Sequence, residues 1–135
     1  MGKRRAMKVK INGVEWKIEE KKQAEIKTIQ NIRKGNEEEN IKDLNNRYYG
    51  ITYTDDCIIY LDKDLPEDRK RKTLLHELAH CYINSYITHE DREYNEEMVA
   101  DIVSNSFDII SEIVNKYFSN RINIKLEEIL KTQIE

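Results

Sequence analysis

The sequence predicts an α+β fold, in which a small antiparallel β-sheet of two hairpins packs on one helix and a long helix follows. Three observations support this fold class. Two stretches alternate apolar and polar residues on both sides of a short turn, as hairpins do. Two later stretches repeat apolar residues every three or four positions, as helices do. The 135 residues include one proline and four glycines and suit a single domain.

Composition and charge exclude several classes of protein. The net charge of −3 gives no bulk electrostatic reason to bind nucleic acid, so no nucleic-acid partner is expected. No apolar run approaches the roughly 18 residues of a membrane span, and the basic amino end lacks the apolar core of a signal peptide. Cys57 and Cys81 are too few for a disulfide framework. These features predict a cytoplasmic protein without a membrane partner and leave its oligomeric state open.

The first predicted hairpin follows a short basic leader. Residues 1–7 have nothing to bury, so the globular domain is expected to span residues 8–135. From Lys8 to Glu19, apolar and polar residues alternate on both sides of the pair Asn12-Gly13. Because an Asn-Gly pair between alternating runs is the strongest short hairpin signal, we predict a hairpin over this stretch.

Residues 21–46 are polar and charge-dense, and they carry two thin apolar stripes that predict two short helices. The pair Gly35-Asn36 separates the two stripes. The apolar positions are Ile26, Ile29 and Ile32 in the first stripe, and Ile41 and Leu44 in the second.

A second hairpin is predicted over residues 48–61. Its β-branched and aromatic residues lie on both sides of Asp55-Asp56, a pair that favours turns. The hairpin ends just before the next predicted helix. There it either docks an extended peptide by edge pairing or only packs against the helix, and the sequence leaves both alternatives open.

The next helix is predicted over residues 66–84. A proline suits the first helical turn, and the acidic side chains of Glu67 and Asp68 complement the positive end of the helix dipole. The cationic side chains of the first half are expected to be solvated, whereas leucine and alanine form the apolar face. The cations are Arg69, Lys70, Arg71 and Lys72, and the apolar face is Leu74, Leu75, Leu78 and Ala79.

A long helix is predicted over residues 95–119 and a short one over residues 125–134. Ser119-Asn120-Arg121 breaks the apolar pattern between them. The expected core stripe of the long helix is Val99, Ile102, Val103, Phe107, Ile110, Ile113, Val114 and Tyr117, and Ile129 and Leu130 are expected to face inward on the short one.

The motif His76-Glu77-Leu78-Ala79-His80 lies inside the helix predicted over residues 66–84. On a helix the two histidines lie one turn apart, about 6 Å along the axis, and both can turn a ring nitrogen toward one metal ion. Glu77 lies beside them, where it can hold a water molecule and take its proton. This is the division of labour of a zinc-dependent peptidase.

A catalytic zinc ion (Zn²⁺) takes three protein ligands, so the third ligand has to come from elsewhere. The extended motif HExxHxxGxxH is excluded, because Ile83 and Tyr86 occupy the glycine and third-histidine positions. We predict that Glu97, 17 residues after His80, is the third ligand, with Glu96 as its rival. Asp101 lies one turn further along and could accept the second ring N–H of a ligand histidine.

The other histidine, the two cysteines and several side chains near the motif are not assigned to the metal site. The third histidine, His89, is predicted to lie in a surface loop. Cys57 and Cys81 are predicted to be buried small hydrophobic residues. Four side chains are near enough in sequence to stabilise an oxyanion, and nothing selects among them: Tyr82, Tyr86, Arg92 and Tyr94.

The stretch from Thr73 to Cys81, followed by Glu97-Met98-Val99-Ala100-Asp101, resembles the small ImmA/IrrE-type metallopeptidases, in which HExxH precedes ExxA on the next helix. Gly50-Ile51-Thr52 and the strand pair that leads to Asp62 are also similar. The resemblance implies a zincin-like fold, a third-ligand role for Glu97 and a protein substrate such as a repressor of a phage or mobile element. Asp101 stands where asparagine is common in that family.

Three hypotheses for the function follow. The first is a zinc metallopeptidase that cleaves a protein or peptide substrate, with Glu77 as the base. The second is a catalytically weak or inactive zinc-binding module that binds and controls a protein partner. The third is a SprT-like peptidase that acts at DNA, and the absence of a basic domain or a cysteine zinc ribbon from the sequence argues against it.

Overall fold

The first hairpin has the predicted turn and slightly longer strands. The computed structural model describes residues 6–35, 47–87 and 94–134, without the side chains at 120–125, 127 and 132–134. Strand β1 (Ala6–Ile11) pairs antiparallel with β2 (Val14–Lys21). Asn12 and Gly13 have φ angles of 51° and 78°, the left-handed values that a tight hairpin turn requires.

The strand β1 begins at Ala6 and so includes the last two residues of the predicted leader. Helix α1 (Gln23–Arg33) confirms the first of the two short helices. Ile26 is completely buried, as expected, whereas Ile32 is mostly exposed. Residues 1–5 of the leader and the second short helix, predicted at Ile41 and Leu44, lie outside the described residues.

The second hairpin is also confirmed. Strand β3 (Gly50–Tyr53) pairs antiparallel with β4 (Ile58–Asp62) across the turn that contains Asp55 and Asp56. Arg33 fixes the hairpin to α1, because its guanidinium binds both of these carboxylates. The same guanidinium lies 3.6 Å from the centre of the Tyr53 ring.

The sheet is mixed rather than antiparallel, so this part of the predicted fold class is wrong. The strand order is β1-β2-β4-β3, and β2 pairs with β4 in parallel, with Ile18 opposite Ile59. Parallel neighbours need a crossover of a dozen or more residues. Here the crossover is the chain between Lys21 and Ile58, which contains α1 and β3.

Helix α2 (Glu67–Tyr86) packs on one face of this sheet and carries the histidine motif. Glu20 points to that face, because its carboxylate binds Lys70 of α2. The register of the strands places Gly50 and Thr52 of β3 on the same face. The apolar core of the sheet and helices includes Trp16, Ile18, Ile26, Ile59, Leu61, Leu74, Leu78 and Cys81.

Two side chains of α2 differ from their predicted environment. Lys70 was expected to be solvated, but it is 1% exposed, and its ammonium group binds Glu20 at 2.9 Å and the carbonyl of Lys63 at 3.0 Å. Leu75 was assigned to the apolar face but is 40% exposed. The α2 residues that pack on the sheet therefore include a paired lysine in addition to Leu74 and Leu78.

Helix α3 (Glu96–Ile134) runs without interruption through the predicted break at residues 119–121. Serine, asparagine and arginine cost less than about 0.7 kcal/mol each in a helix interior, so they do not stop a helix unless glycine or proline accompanies them. The chain divides into two compact units, residues 1–88 and 89–135, and α3 belongs to the second.

The predicted core stripe of α3 is only partly buried. Ile113, Val114 and Tyr117 are buried, as is the neighbouring Phe118. Five residues predicted to face inward are instead exposed: Val99, Val103, Phe107, Ile129 and Leu130. Within the described residues, no helix combines the length and the apolar character needed to cross a membrane.

Candidate metal and catalytic site

Helix α2 carries the two histidines and is fixed at its amino-terminal end. Pro66 precedes the helix, and its carbonyl accepts a hydrogen bond from the backbone N–H of Lys70. The Lys70 side chain then binds Glu20 of β2, with both groups almost completely buried. The ion pair therefore links the start of α2 to the sheet.

His76 and His80 lie on one exposed face of α2, one turn apart. Their Nε2 atoms are 3.3 Å apart, and their ring planes meet at 77°. Two imidazole nitrogens about 2.0–2.1 Å from one tetrahedral zinc ion would be separated by about 3.3–3.4 Å. The pair therefore has the separation that two ligands of one zinc ion require.

Glu77 lies between the two histidines in sequence and contacts strand β3. Its side chain is 5% exposed. The hydroxyl of Thr52 on β3 donates a hydrogen bond of 2.8 Å to Glu77 Oε1 and lies 3.5 Å from the backbone carbonyl of the same residue. The carboxylate is therefore held between α2 and β3, and its role as a general base remains a prediction.

Glu97 and Asp101 lie on the second unit of the chain. Both are exposed side chains near the start of α3, and their spacing of four places them on the same face of that helix. In the residues that the structure describes, no three histidine, cysteine or carboxylate side chains form a group that could hold a metal ion. The ligand role of Glu97 and the supporting role of Asp101 remain predictions, as does the rival role of Glu96.

The two cysteines have different environments. Cys81 is completely buried on α2, as predicted. Burial, and after it the negative charge of Glu77, raises the pKa of the Cys81 thiol to about 12. Cys57 was predicted to be buried in a strand, but it is half-buried in the turn between β3 and β4, with a φ angle of 54°. Both thiols are free.

The candidates for oxyanion stabilisation remain open. The rings of Tyr82 and Tyr86 contact each other at a centroid distance of 4.8 Å. Tyr94 is 43% exposed. Arg92 lies outside the described residues, and so does His89, which was predicted to lie in a surface loop. Nothing in the described geometry favours one of these side chains.

The sequence did not predict that Thr52 and Gly50 of β3 lie against Glu77. Thr52 binds the Glu77 carboxylate, and Gly50 allows the close approach of β3 to α2. A side-chain Cβ at Gly50 would lie 2.7 Å from Thr73 Cγ2 and 3.1 Å from Glu77 Cγ. The available signal was the spacing of two, which places both residues on one face of a strand.

The family comparison covers most of the chain. The sequence profile of the IrrE N-terminal-like domain (Peptidase_M78) matches residues 36–132, which include α2 and most of α3. No curated protein and no solved structure matches the chain. Membership of this peptidase family implies a metallopeptidase-like domain, a metal ion that is typically zinc, and a protein substrate in general. The chain belongs to the family of IrrE N-terminal-like peptidase domains.

Proposed function

We propose that the protein is a zinc-dependent metallopeptidase that hydrolyses a peptide bond of a protein substrate. The observation that carries the proposal is the 3.3 Å separation of the His76 and His80 Nε2 atoms on an exposed helix face. The family supports the same class of reaction. The third ligand in this proposal is Glu97, and the domain has a zincin-like arrangement.

The donor set suits zinc. Imidazole and carboxylate ligands are typical of catalytic zinc, and three protein ligands leave one position for water. His76 and His80 would supply two ring nitrogens, and Glu97 would supply one carboxylate oxygen. Asp101 would accept a ring N–H from a ligand histidine and so fix its tautomer. When bound, zinc lowers the pKa of water toward about 7 and polarises the scissile carbonyl.

Glu77 performs the proton transfers in this mechanism. Its carboxylate takes a proton from the attacking water as the new C–O bond forms. It then delivers that proton to the leaving nitrogen as the C–N bond breaks, so that a carboxylic acid and an amine are released. Its burial beside Thr52 excludes bulk water from one side of the carboxylate.

Strand β3 is the proposed docking edge for the substrate. Among the four described strands it lies at one end of the sheet, and it contacts α2 near Glu77. An extended peptide could add to such an edge through backbone hydrogen bonds. This arrangement would place the scissile bond beside the general base.

The resemblance to ImmA/IrrE-type peptidases suggests the class of substrate. We propose a protein regulator, such as a repressor of a phage or mobile element, and a cytoplasmic reaction. The test is incubation of the zinc-loaded protein with a purified repressor, followed by mass spectrometry of the products. If the repressor stays intact while an unrelated unfolded protein is cleaved, the proposed substrate class is wrong, but the peptidase proposal stands.

The first experiment is measurement of the metal content of the purified protein. We expect about one zinc ion per chain, lost in His76→Ala and retained in Glu77→Gln, which should lose turnover. His89→Ala, which changes the third histidine of the sequence, is the matched control and should retain the metal. A Glu77→Gln protein with unchanged proteolysis would contradict the mechanism. The zinc-binding module would be favoured instead if the wild type and Glu77→Gln bind a protein partner equally well and neither cleaves it.

A further inference from the structure

Strand β3 contacts the proposed general base through two residues. Thr52 Oγ1 lies 2.8 Å from Glu77 Oε1, within normal hydrogen-bond distance. The longer approach to the Glu77 carbonyl, at 3.5 Å, makes the carboxylate the preferred acceptor. Because an ionised carboxylate can only accept, the hydroxyl proton of Thr52 is directed at Oε1.

The contact uses one carboxylate oxygen of Glu77 and leaves the other available. A hydrogen bond to an ionised acceptor is stronger than one between neutral groups, and the low exposure of Glu77 reduces competition from water. A glutamate side chain has several rotamers that would otherwise be accessible. Thr52 therefore favours the rotamers in which Oε1 faces β3.

Gly50 makes this contact possible. Thr73 Cγ2 and Glu77 Cγ occupy the space that a side chain at residue 50 would need. Gly50 and Thr52 are two residues apart, so they face α2 together. The close approach at Gly50 brings the Thr52 hydroxyl within reach of the carboxylate.

We propose that Thr52 is a positioning residue, which holds the Glu77 carboxylate in the orientation needed for proton transfer. This inference rests on the proposed peptidase function. It predicts that the hydroxyl of Thr52 acts on the chemical step, whereas its methyl group only packs. The hydroxyl can be removed without a change of shape, because valine is nearly isosteric with threonine.

The kinetic test compares Thr52→Val, Thr52→Ser and Thr54→Val with the zinc-loaded wild type. Thr54 is the matched control, because it is an exposed threonine of the same hairpin. The probe is fluorescein-labelled denatured casein. We expect Thr52→Val to lower kcat about tenfold with little change in KM, because a mispositioned base slows the chemistry and not the binding. Thr52→Ser should recover most of the loss, and Thr54→Val should match the wild type.

A second measurement uses the metal-free protein and requires no activity. Urea unfolding of Thr52→Val, Glu77→Leu and the double variant forms a double-mutant cycle. We expect the two substitutions to be non-additive, with a coupling of about fivefold or more in the unfolding equilibrium constant. Additive effects would show that the hydrogen bond contributes nothing, and they would overturn the inference.

The two measurements separate failure of the inference from failure of the proposed function. If the wild type cleaves casein and Thr52→Val cleaves it equally fast, the positioning role is overturned and the peptidase stands, whatever the coupling. If the zinc-loaded wild type cleaves neither casein nor a purified repressor, the peptidase proposal fails. The positioning role then fails with it, even if the double-mutant cycle shows coupling. A kcat loss that Thr52→Ser fails to recover would also overturn the role of the hydroxyl.

Discussion

Lys70 Nζ lies 2.9 Å from Glu20 Oε1, and the two side chains are 1% and 3% exposed. The two residues are 50 positions apart in the chain. Lys70 also donates a hydrogen bond to the carbonyl of Lys63, just before α2. The ion pair thus links β2, the helix that carries His76, and the chain segment that leads into that helix.

Lys70→Met should lower the free energy of unfolding by about 3–5 kcal/mol. The substitution leaves the Glu20 carboxylate buried without its cation, and the cost of that desolvation accounts for most of the loss. Changing both residues, to methionine at 70 and leucine at 20, should recover much of the stability. Lys72→Met, at an exposed position of the same helix, should change it by less than about 0.5 kcal/mol. Urea unfolding measures all four proteins, and equal effects at residues 70 and 72 would contradict the buried pair.

The burial of Lys70 was not predictable from the local sequence. A run of four cations at the start of a helix predicts a solvated surface, and for its exposed members Arg69, Arg71 and Lys72 this is correct. The partner of Lys70 lies on a strand far earlier in the sequence, and no local pattern identifies it. The first hairpin was predictable because its signal is local: Asn12 and Gly13 both adopt the positive φ angles that the turn requires.

The parallel pairing of β2 with β4 was not predictable either, because the two strands are far apart in the sequence. Alternation of apolar residues identifies a strand and the face that it buries, but it does not identify the neighbouring strand. Within the candidate site, the HExxH spacing predicted the approach of His76 to His80, because both residues lie on one helix. The Thr52–Glu77 contact depends on how β3 packs against α2, which the sequence does not encode locally.

Glu97→Gln should weaken zinc binding strongly, whereas Glu96→Gln should not. Loss of a direct ligand should cost more than the about 10–100-fold in affinity that substitution of a supporting residue costs. Both glutamates are exposed and lie in the first turn of α3, so the two substitutions differ mainly in the direction of the side chain. Competition with a chromophoric chelator measures the affinity. Equal affinities in the two variants, or the greater loss at Glu96, would contradict the assignment.

Asp101→Ala should reduce zinc affinity by about 10–100-fold without abolishing binding. In this proposal the Asp101 carboxylate accepts the second ring N–H of a ligand histidine. That hydrogen bond fixes the tautomer of the histidine and raises its basicity. Asp108→Ala is the control, because Asp108 is an exposed carboxylate further along α3. The same chelator competition applies. An Asp101→Ala protein that binds zinc as tightly as the Asp108→Ala protein would assign Asp101 to the solvated surface.

Cys57 should react with a thiol reagent in the folded metal-free protein at pH 8, and Cys81 should not. Cys81 is completely buried, and with a pKa of about 12 its thiol stays protonated at that pH. Cys57 is only half-buried in a turn. Titration with a chromogenic disulfide should therefore detect one fast thiol, which Cys57→Ser removes. In urea both cysteines should react. Fast labelling that persists in the folded Cys57→Ser protein would contradict the burial of Cys81.

Gly50→Ala should lower the free energy of unfolding by about 1–3 kcal/mol, the usual cost of overpacking. The added Cβ would lie 2.7 Å from Thr73 Cγ2, so β3 and α2 must move apart or the threonine must shift. Thr73→Ser removes that methyl group and keeps the hydroxyl that binds the carbonyl of Arg69. The double variant should therefore be more stable than Gly50→Ala alone. If Thr73→Ser gives no recovery, the strain arises instead at Glu77 Cγ, 3.1 Å from the same Cβ. The Glu77 carboxylate would then be displaced, and Gly50→Ala should lower kcat even under conditions in which the variant stays folded.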